Sequence, residues 1–498
     1  MNVNPITRLD YPDPDVIRVE DTYYMVSTTM HFMPGCEILQ SFDLVHWEHV
    51  TYVYETLDHT DAQQLKSGQN IYGQGMWAAS LRYHEGRFYI CFVANDTRKT
   101  YLYTSEKIDG PWKKQLIEGF YHDGSLLFDE DGRNYIVYGN DEIWITELNE
   151  DLTAPKKDGL HRLLVSDHKN PELGYEGSHI QKINGYYYIF LVHSLRDRWM
   201  RTEACFYSDS LEGEFTGGDV LCDDRGYCGQ GVAQGGIVDT PDGKWYAMLF
   251  QDSGAVGRIP ILLPVTWKDH FPFFGQNGHV PEEIEVHSTR PGYIYQPLVG
   301  SDDFCNGLLP RWQFNHDPDP RYYHLDALQG TYTITTREVC TELTQAVNTL
   351  TQRMSYPSCA AEVTVDASAL KEGDVAGLCA LQSCYAAVGI TKHHGKYEVL
   401  MLDKKEDGIL NMTEGTVVES HQMDFRLEAD FCNMKDEARC YYRVNKGDWL
   451  PIGTVHKLYF KLDHFTGCRF GLFCYAAEET GGSACFRDFK YYDVDEIS

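Results

Sequence analysis

Residues 130–138 read EDGRNYIVY, two acids and a glycine followed by an aromatic and an apolar run: a turn feeding a strand. The pattern returns on either side as VEDTYYMVS at 19–27, HEGRFYICF at 84–92, INGYYYIFL at 183–191 and PDGKWYAML at 241–249. The turn positions are Asp21, Gly86, Gly132, Gly185 and Gly243, spaced by 65, 46, 53 and 58 residues. A strand-like run precedes each copy, so each is a β-hairpin, with an Asp/Asn-Gly type of turn in most copies. Repeats of this period built from short strands are blades, and five of them predict a five-bladed β-propeller.

The repeat is also a ruler. Nine residues before the turn glycine of copies two to five stand Trp77, Asp123, Glu176 and Gln234, and eight residues before the first turn stands Asp13. In a propeller the first strand of each blade lies nearest the axis, so residues starting those strands form a ring around one mouth. Three carboxylates converging on one axis repel one another and are costly unless used. PDPD by itself is only a turn signal; the shared offset is what singles out Asp13. Asp10 falls in the entry turn, and Asp15 shares the side of Asp13 but sits deeper in the channel.

Composition bounds the rest. At 498 residues the chain exceeds one ordinary core. No long apolar window and no apolar leader run appears at MNVNPITRLDYPDP, and the fifteen cysteines form no CxxC or zinc spacing. These features predict a cytoplasmic chain with free thiols. A formal charge of −31 argues against nucleic acid and anionic membranes as partners, and leaves a neutral substrate unpenalised. No sequence signal bears on oligomeric state. The propeller is expected over residues 1–290, a linker at 291–300 closing a Gly/Pro/His-rich stretch, and a jelly-roll-like β-sandwich over 301–498, where alternating strands such as AAEVTVDAS and CFRDFKYYDV appear.

Paired carboxylates across a sugar-sized pocket suit glycosidic cleavage, one protonating the leaving oxygen and the other activating water or attacking the anomeric carbon. The ordered set NPITRLDYPDPDVIRVEDTYYMVSTT, HDGSLLFDEDG, YEGSHIQKINGYYY and GAVGRIPILLPVTWKD resembles glycoside hydrolase family 43. Within it the chain is most similar to β-xylosidases and α-L-arabinofuranosidases with a C-terminal sandwich, and the likeness covers essentially the whole chain. That resemblance implies an inverting, exo-acting hydrolase of xylan- or arabinan-derived oligosaccharides. It makes Asp13 the general base, Glu176 the general acid, and Asp123 the third acid, which orients Glu176 and raises its pKa. Arg258 is implied to reach into the sugar pocket, and Phe465 in HFTGCRF to tip a loop reaching the propeller mouth.

Departures from the family pattern are Gly124 and Ser178 where proline is frequent after the second and third acids, Phe32 where a tryptophan is common, and Gln234 where many relatives carry a histidine. Phe32 and Trp77 are therefore expected as stacking rings, and Gln234 as an amide at the sugar end of the channel. No cofactor is required on this reading. In some members the histidine helps hold a central calcium ion, for which Gln234 could supply a carbonyl ligand. His31 and His287 read as loop or surface histidines. Two rival readings are a glycan-binding propeller without catalysis and an endo-arabinanase.

Overall fold

The computed structural model describes residues 2–413 and 415–493, and its regular structure is β-strand apart from four single 3-10 turns. Five four-stranded antiparallel sheets follow one another along the chain, from Asp15–Val19 through Phe271–Phe274. Their inner strands are Asp15–Val19, Met76–His84, Ser125–Phe128, Glu176–Ile183 and Ala233–Asp239. Each inner strand packs on the next and the fifth on the first, which closes the propeller. The N-terminus is fastened to the last blade, since Val3 pairs with Glu283 and the Asn4 amide bonds the backbone of Leu262 at 2.8 and 3.1 Å.

The hairpins differ in a way the repeat conceals. Glu85-Gly86 and Asn184-Gly185 are two-residue turns with both residues at positive φ, the twist that suits antiparallel strands. The EDG and PDG copies instead lie in five-residue loops between Phe128 and Asn134 and between Asp239 and Trp245. The aromatic and apolar residues after each turn fill five separate cores, one between each pair of neighbouring blades. Val26, Leu81 and Phe92 join blades one and two; Cys91, Leu126 and Ile136 join two and three. Val137, Ile180 and Ile189 lie between three and four; Phe190, Ile237 and Ile261 between four and five. Val16, Met25, Met248 and Leu262 close the circle.

Beyond the propeller two large antiparallel sheets stack as a sandwich around Trp312, Phe314, Val363, Leu378, Phe425, Phe470 and Phe486. The two halves of the molecule interlock. Phe32–Met33, from a loop of blade one, pairs with Phe314 and Asn315 as an extra strand of a sandwich sheet. In return Ala255, Val256 and Ile259 of blade five enter the sandwich core. The segment before the sandwich runs along blade one: Thr289 bonds Phe42, Arg290 pairs with Asp21 at 2.8 Å, and the Tyr295 hydroxyl accepts from the Phe42 amide at 2.9 Å.

Candidate active site

At one mouth the inner strands begin irregularly. The pairing slips between Met76 and Ala79, between Glu176 and His179, and between Ala233 and Gly236, so Trp77, Gly177 and Gln234 sit in bulges. Asp13, Asp123, Gly177 and Gln234 all have positive φ, between 47 and 66°. Such a conformation costs a non-glycine residue about 1 kcal/mol or more, least for Asp and Asn. Three of the five repeat-offset residues thus share one unusual backbone state, which turns them out of the pleat.

Asp13 accepts a 2.6 Å bond from Arg258 Nη1 on Oδ1 and a 2.5 Å bond from Thr28 Oγ1 on Oδ2. Arg258 Nε lies 3.2 Å from Asp252, which also pairs with the buried Arg201. Asp123 accepts from the Gly177 amide at 3.0 Å. Glu176 accepts from the Asn140 amide at 2.7 Å and keeps 20% of its side chain exposed, against 3% for Asp13 and 6% for Asp123, so it is the acid most open to the mouth. His122 Nε2 lies 3.5 Å from both Asp123 and Glu176.

Burial pushes Asp123 up to about 6, with His122 opposing and the charges of Glu176 and Asp13 assisting. Burial would raise Glu176 as well, but His122 first, then Arg201 and Arg258, hold its carboxyl below the usual range. The resemblance implies a raised Glu176; here one imidazole and two guanidinia outweigh burial, so the upward push of the Asp123 charge is offset rather than absent. His122 itself is driven down by burial and more strongly up by Asp123, Glu176 and Asp13, to about 9.

The neighbouring acids do structural work. Asp10 accepts from the Arg258 amide at 2.8 Å and the Gly467 amide at 2.7 Å, tying the site arginine to a sandwich loop. Asp15 is buried at the axis, bonded to the Leu81 amide, Arg82 and His179. Arg82 continues to Leu126, Ser125 and Ile180, and Gly236 faces His179, so all five inner strands meet on this plug. A guanidinium and an imidazole at the axis do not fit calcium, which takes six to eight oxygen ligands. Among the described residues the one set of three potential ligand atoms within 4.8 Å of one another is His122, Asp123 and Glu176. With two carboxylates and one imidazole, of which Asp123 already accepts from the Gly177 amide and Glu176 from the Asn140 amide, the set falls short of the oxygen shell calcium takes.

Aromatic rings wall the mouth. Phe465, on the sandwich loop between Leu450–Lys457 and Arg469–Ala476, stacks under the Arg258 guanidinium at 3.7 Å and meets Trp77 edge-on at 5.2 Å. Gln234 packs its side chain against Gly177, where a Cβ would approach it to 2.7 Å. Depressions of ≈ 400 Å³ beside Trp77 and ≈ 540 Å³ beside Trp199 share Asp463 of that loop, which runs between them. The site thus gathers Asp13, Asp123, Glu176, Trp77, Gln234, Arg258 and Phe465. Phe32 is placed apart: its ring is 2% exposed, with the Arg469 guanidinium 3.4 Å above it and His31 beside it. His287 is exposed as expected, but His31 is buried with His316 and His464. Arg201, Asp252, Thr28, Asn140 and His122 escape the ruler because most come from second and third strands of blades. Only His122, adjacent to Asp123, lay within reach of it. Trp77 Nε1, Ser178 Oγ, His122 Nε2, Arg201 Nε and Glu203 Oε1 are buried without a protein hydrogen-bond partner.

An acid cluster with unpaired polar atoms under an aromatic lid, at the mouth of a propeller, defines a hydrolase of glycosidic bonds. Residues 3–272 match glycosyl hydrolases family 43 and residues 301–492 match the β-xylosidase C-terminal concanavalin A-like domain; the chain belongs to that family. It is 26% identical over 554 residues to a β-xylosidase of Formosa agariphila, covering 99% of this chain and 89% of the relative. A bifunctional GH43-CE protein of Bacteroides eggerthii superposes with a TM-score of 0.92 at 42% identity over 99% of this chain, which spans 63% of that protein. A GH43 glycoside hydrolase engineered to display endo-xylanase and exo-arabinofuranosidase activity matches with a TM-score of 0.86 at 27% identity, covering 99% of both chains. Among the described residues no helix is long and apolar enough to cross a membrane.

Proposed function

We propose that this glycoside hydrolase removes terminal β-D-xylose or α-L-arabinofuranose from xylan- or arabinan-derived oligosaccharides with inversion. The observation that carries the reading is the division of the acids: Asp13 is held by Arg258 and Thr28, whereas Glu176 faces His122 and Asn140. Asp13 takes a proton from water as the water oxygen attacks the anomeric carbon. The electron pair of the glycosidic bond leaves on the departing oxygen, which takes the proton of Glu176. Trp77 provides an apolar face for the sugar, and the buried Phe465 ring backs it edge-on. The crossing loop favours chain ends over long polymers. Fifteen free cysteines fit a reducing compartment, and we place the enzyme in the cytoplasm.

A panel of para-nitrophenyl glycosides identifies the sugar. Glu176→Ala is expected to cost about 10² to 10⁴-fold more on xylobiose, whose leaving alkoxide is poor, than on an activated aryl glycoside, whereas Asp13→Ala costs both alike. Equal losses for Glu176→Ala, or a first product of retained configuration by NMR, would reject the assignment.

A further inference from the structure

The two-carboxylate mechanism gives His122 no part, yet among the described residues it is the basic side chain within 4 Å of both Asp123 and Glu176. Its Nε2 is equidistant, at 3.5 Å, from Asp123 Oδ2 and Glu176 Oε2. That is too long for a good hydrogen bond to either and short enough for charge to act on both. The backbone is fixed by the Gly139 amide, which donates to the His122 carbonyl at 3.0 Å, and Trp77 backs the ring edge-on at 6.1 Å. The groups facing it are Asp123 on its own blade, Glu176 from blade four and Asp13 from blade one, all acidic. Arg201 and Arg258 also act on Glu176, but both are engaged by Asp252, and Arg258 by Asp13 as well. His122 is the cation that belongs to the Asp123–Glu176 pair.

We propose that His122 is a positioning residue for proton delivery: its imidazolium neutralises one charge of the Asp123–Glu176 pair and stabilises the carboxylate that Glu176 becomes when its proton passes to the departing oxygen. The imidazolium keeps its own proton throughout, consistent with its raised pKa. The proposal rests on the reading of Glu176 as the acid. It adds that the strength of this acid is set by two neighbours of opposite sign, Asp123 weakening it and His122 strengthening it.

The test compares pH profiles of kcat/KM for the wild type, His122→Gln, His122→Lys and Asp123→Asn on para-nitrophenyl β-xyloside and on xylobiose. Loss of the charge in His122→Gln should move the basic limb up by about 1 to 3 pH units. Asp123→Asn should move it down, and His122→Lys should leave it near the wild type; general damage to the site does not produce opposite signs. An unmoved limb in His122→Gln, or an equal shift in His122→Lys, overturns the proposal while leaving Glu176 as the acid if Glu176→Ala still discriminates leaving groups. If Glu176→Ala fails to discriminate, the functional reading falls first. Should His122→Gln not fold, the wild-type imidazole is titrated by NMR: a histidine protonated up to pH 8 or above, broadened by a bound xyloside, supports the proposal, and absence of any such resonance overturns it.

Discussion

Arg258 serves two carboxylates and a ring at once: Nη1 on Asp13, Nε on Asp252, and its plane over Phe465. Only a guanidinium does this, since lysine offers a point charge on a flexible stem and no planar face. Arg258→Lys should lower kcat/KM by about 10- to 100-fold, the worth of one lost charged hydrogen bond, and steady-state kinetics on an aryl xyloside reads this directly. Glu176 carries a second expectation. Its carboxyl is held low in the free site by His122, Arg201 and Arg258, although burial works the other way. A bound sugar covers its exposed edge and strengthens the desolvation effect, raising its pKa. The basic limb of kcat, which reports the complex, should therefore lie at higher pH than that of kcat/KM, which reports the free enzyme; coincident limbs would contradict it. At this scale the sequence was legible wherever a residue stood at the repeat offset. Asp13, Asp123, Glu176 and Gln234 share a position and, but for Glu176 itself, a strained backbone. Arg201 and Asp252 come from elsewhere in their blades and have no such marker.

The hairpins were legible because turn, aromatic and apolar run recur locally. The two-residue strand Phe32–Met33 was not, since its partner Asn315 lies in the other half of the chain and nothing local marks the pairing. The same holds for the loop bearing Phe465. Its position is set by backbone contacts with the propeller, where Gly467 donates to Asp10 and Cys468 donates to Ala255 at 2.8 Å, and by one bond within the sandwich, where the Thr466 carbonyl accepts from the Gln382 side chain at 2.9 Å. A Cβ on Gly467 would come within 2.0 Å of the Val256 carbonyl oxygen, so the contact admits glycine alone. Gly467→Ala should lift the loop, part Phe465 from Arg258, and raise KM for xylobiose with a smaller effect on an aryl glycoside. A variant with unchanged KM on both would show that the loop does not shape the pocket.

Across the whole molecule the two domains share one extensive interface. Arg353 of the sandwich pairs with Glu37 at 2.8 Å and bonds the Asp10 carbonyl, and blade five contributes to the sandwich core. In the same interface His31, His316 and His464 stack with Tyr72, ring centroids 4.6 to 6.0 Å apart. His316 Nε2 accepts from the Ile71 amide at 3.0 Å, a bond that needs the neutral imidazole. Burial, with repulsion from His464, drives His316 down to about 3; burial drives His464 to about 4, with Asp463 opposing and Arg469 assisting. These folded values lie below the unfolded one near 6.5. Stability from the neutral ring is therefore complete above pH 6.5 and is lost as pH falls from there toward the folded pKa, because the unfolded chain takes up a proton the folded one refuses. Asp10, Asp123, Asp374 and Asp436, raised to about 6 mainly by burial, work in the opposite sense below that pH, so total stability is not the quantity to follow. The difference between wild type and His316→Gln isolates the effect, since glutamine accepts the Ile71 bond and does not titrate. That difference should shift in favour of the variant by about 1.4 kcal/mol per pH unit on going down from pH 6 to pH 4. Urea unfolding at several pH values measures it, and a difference independent of pH would mean that this histidine is already charged in the folded interface.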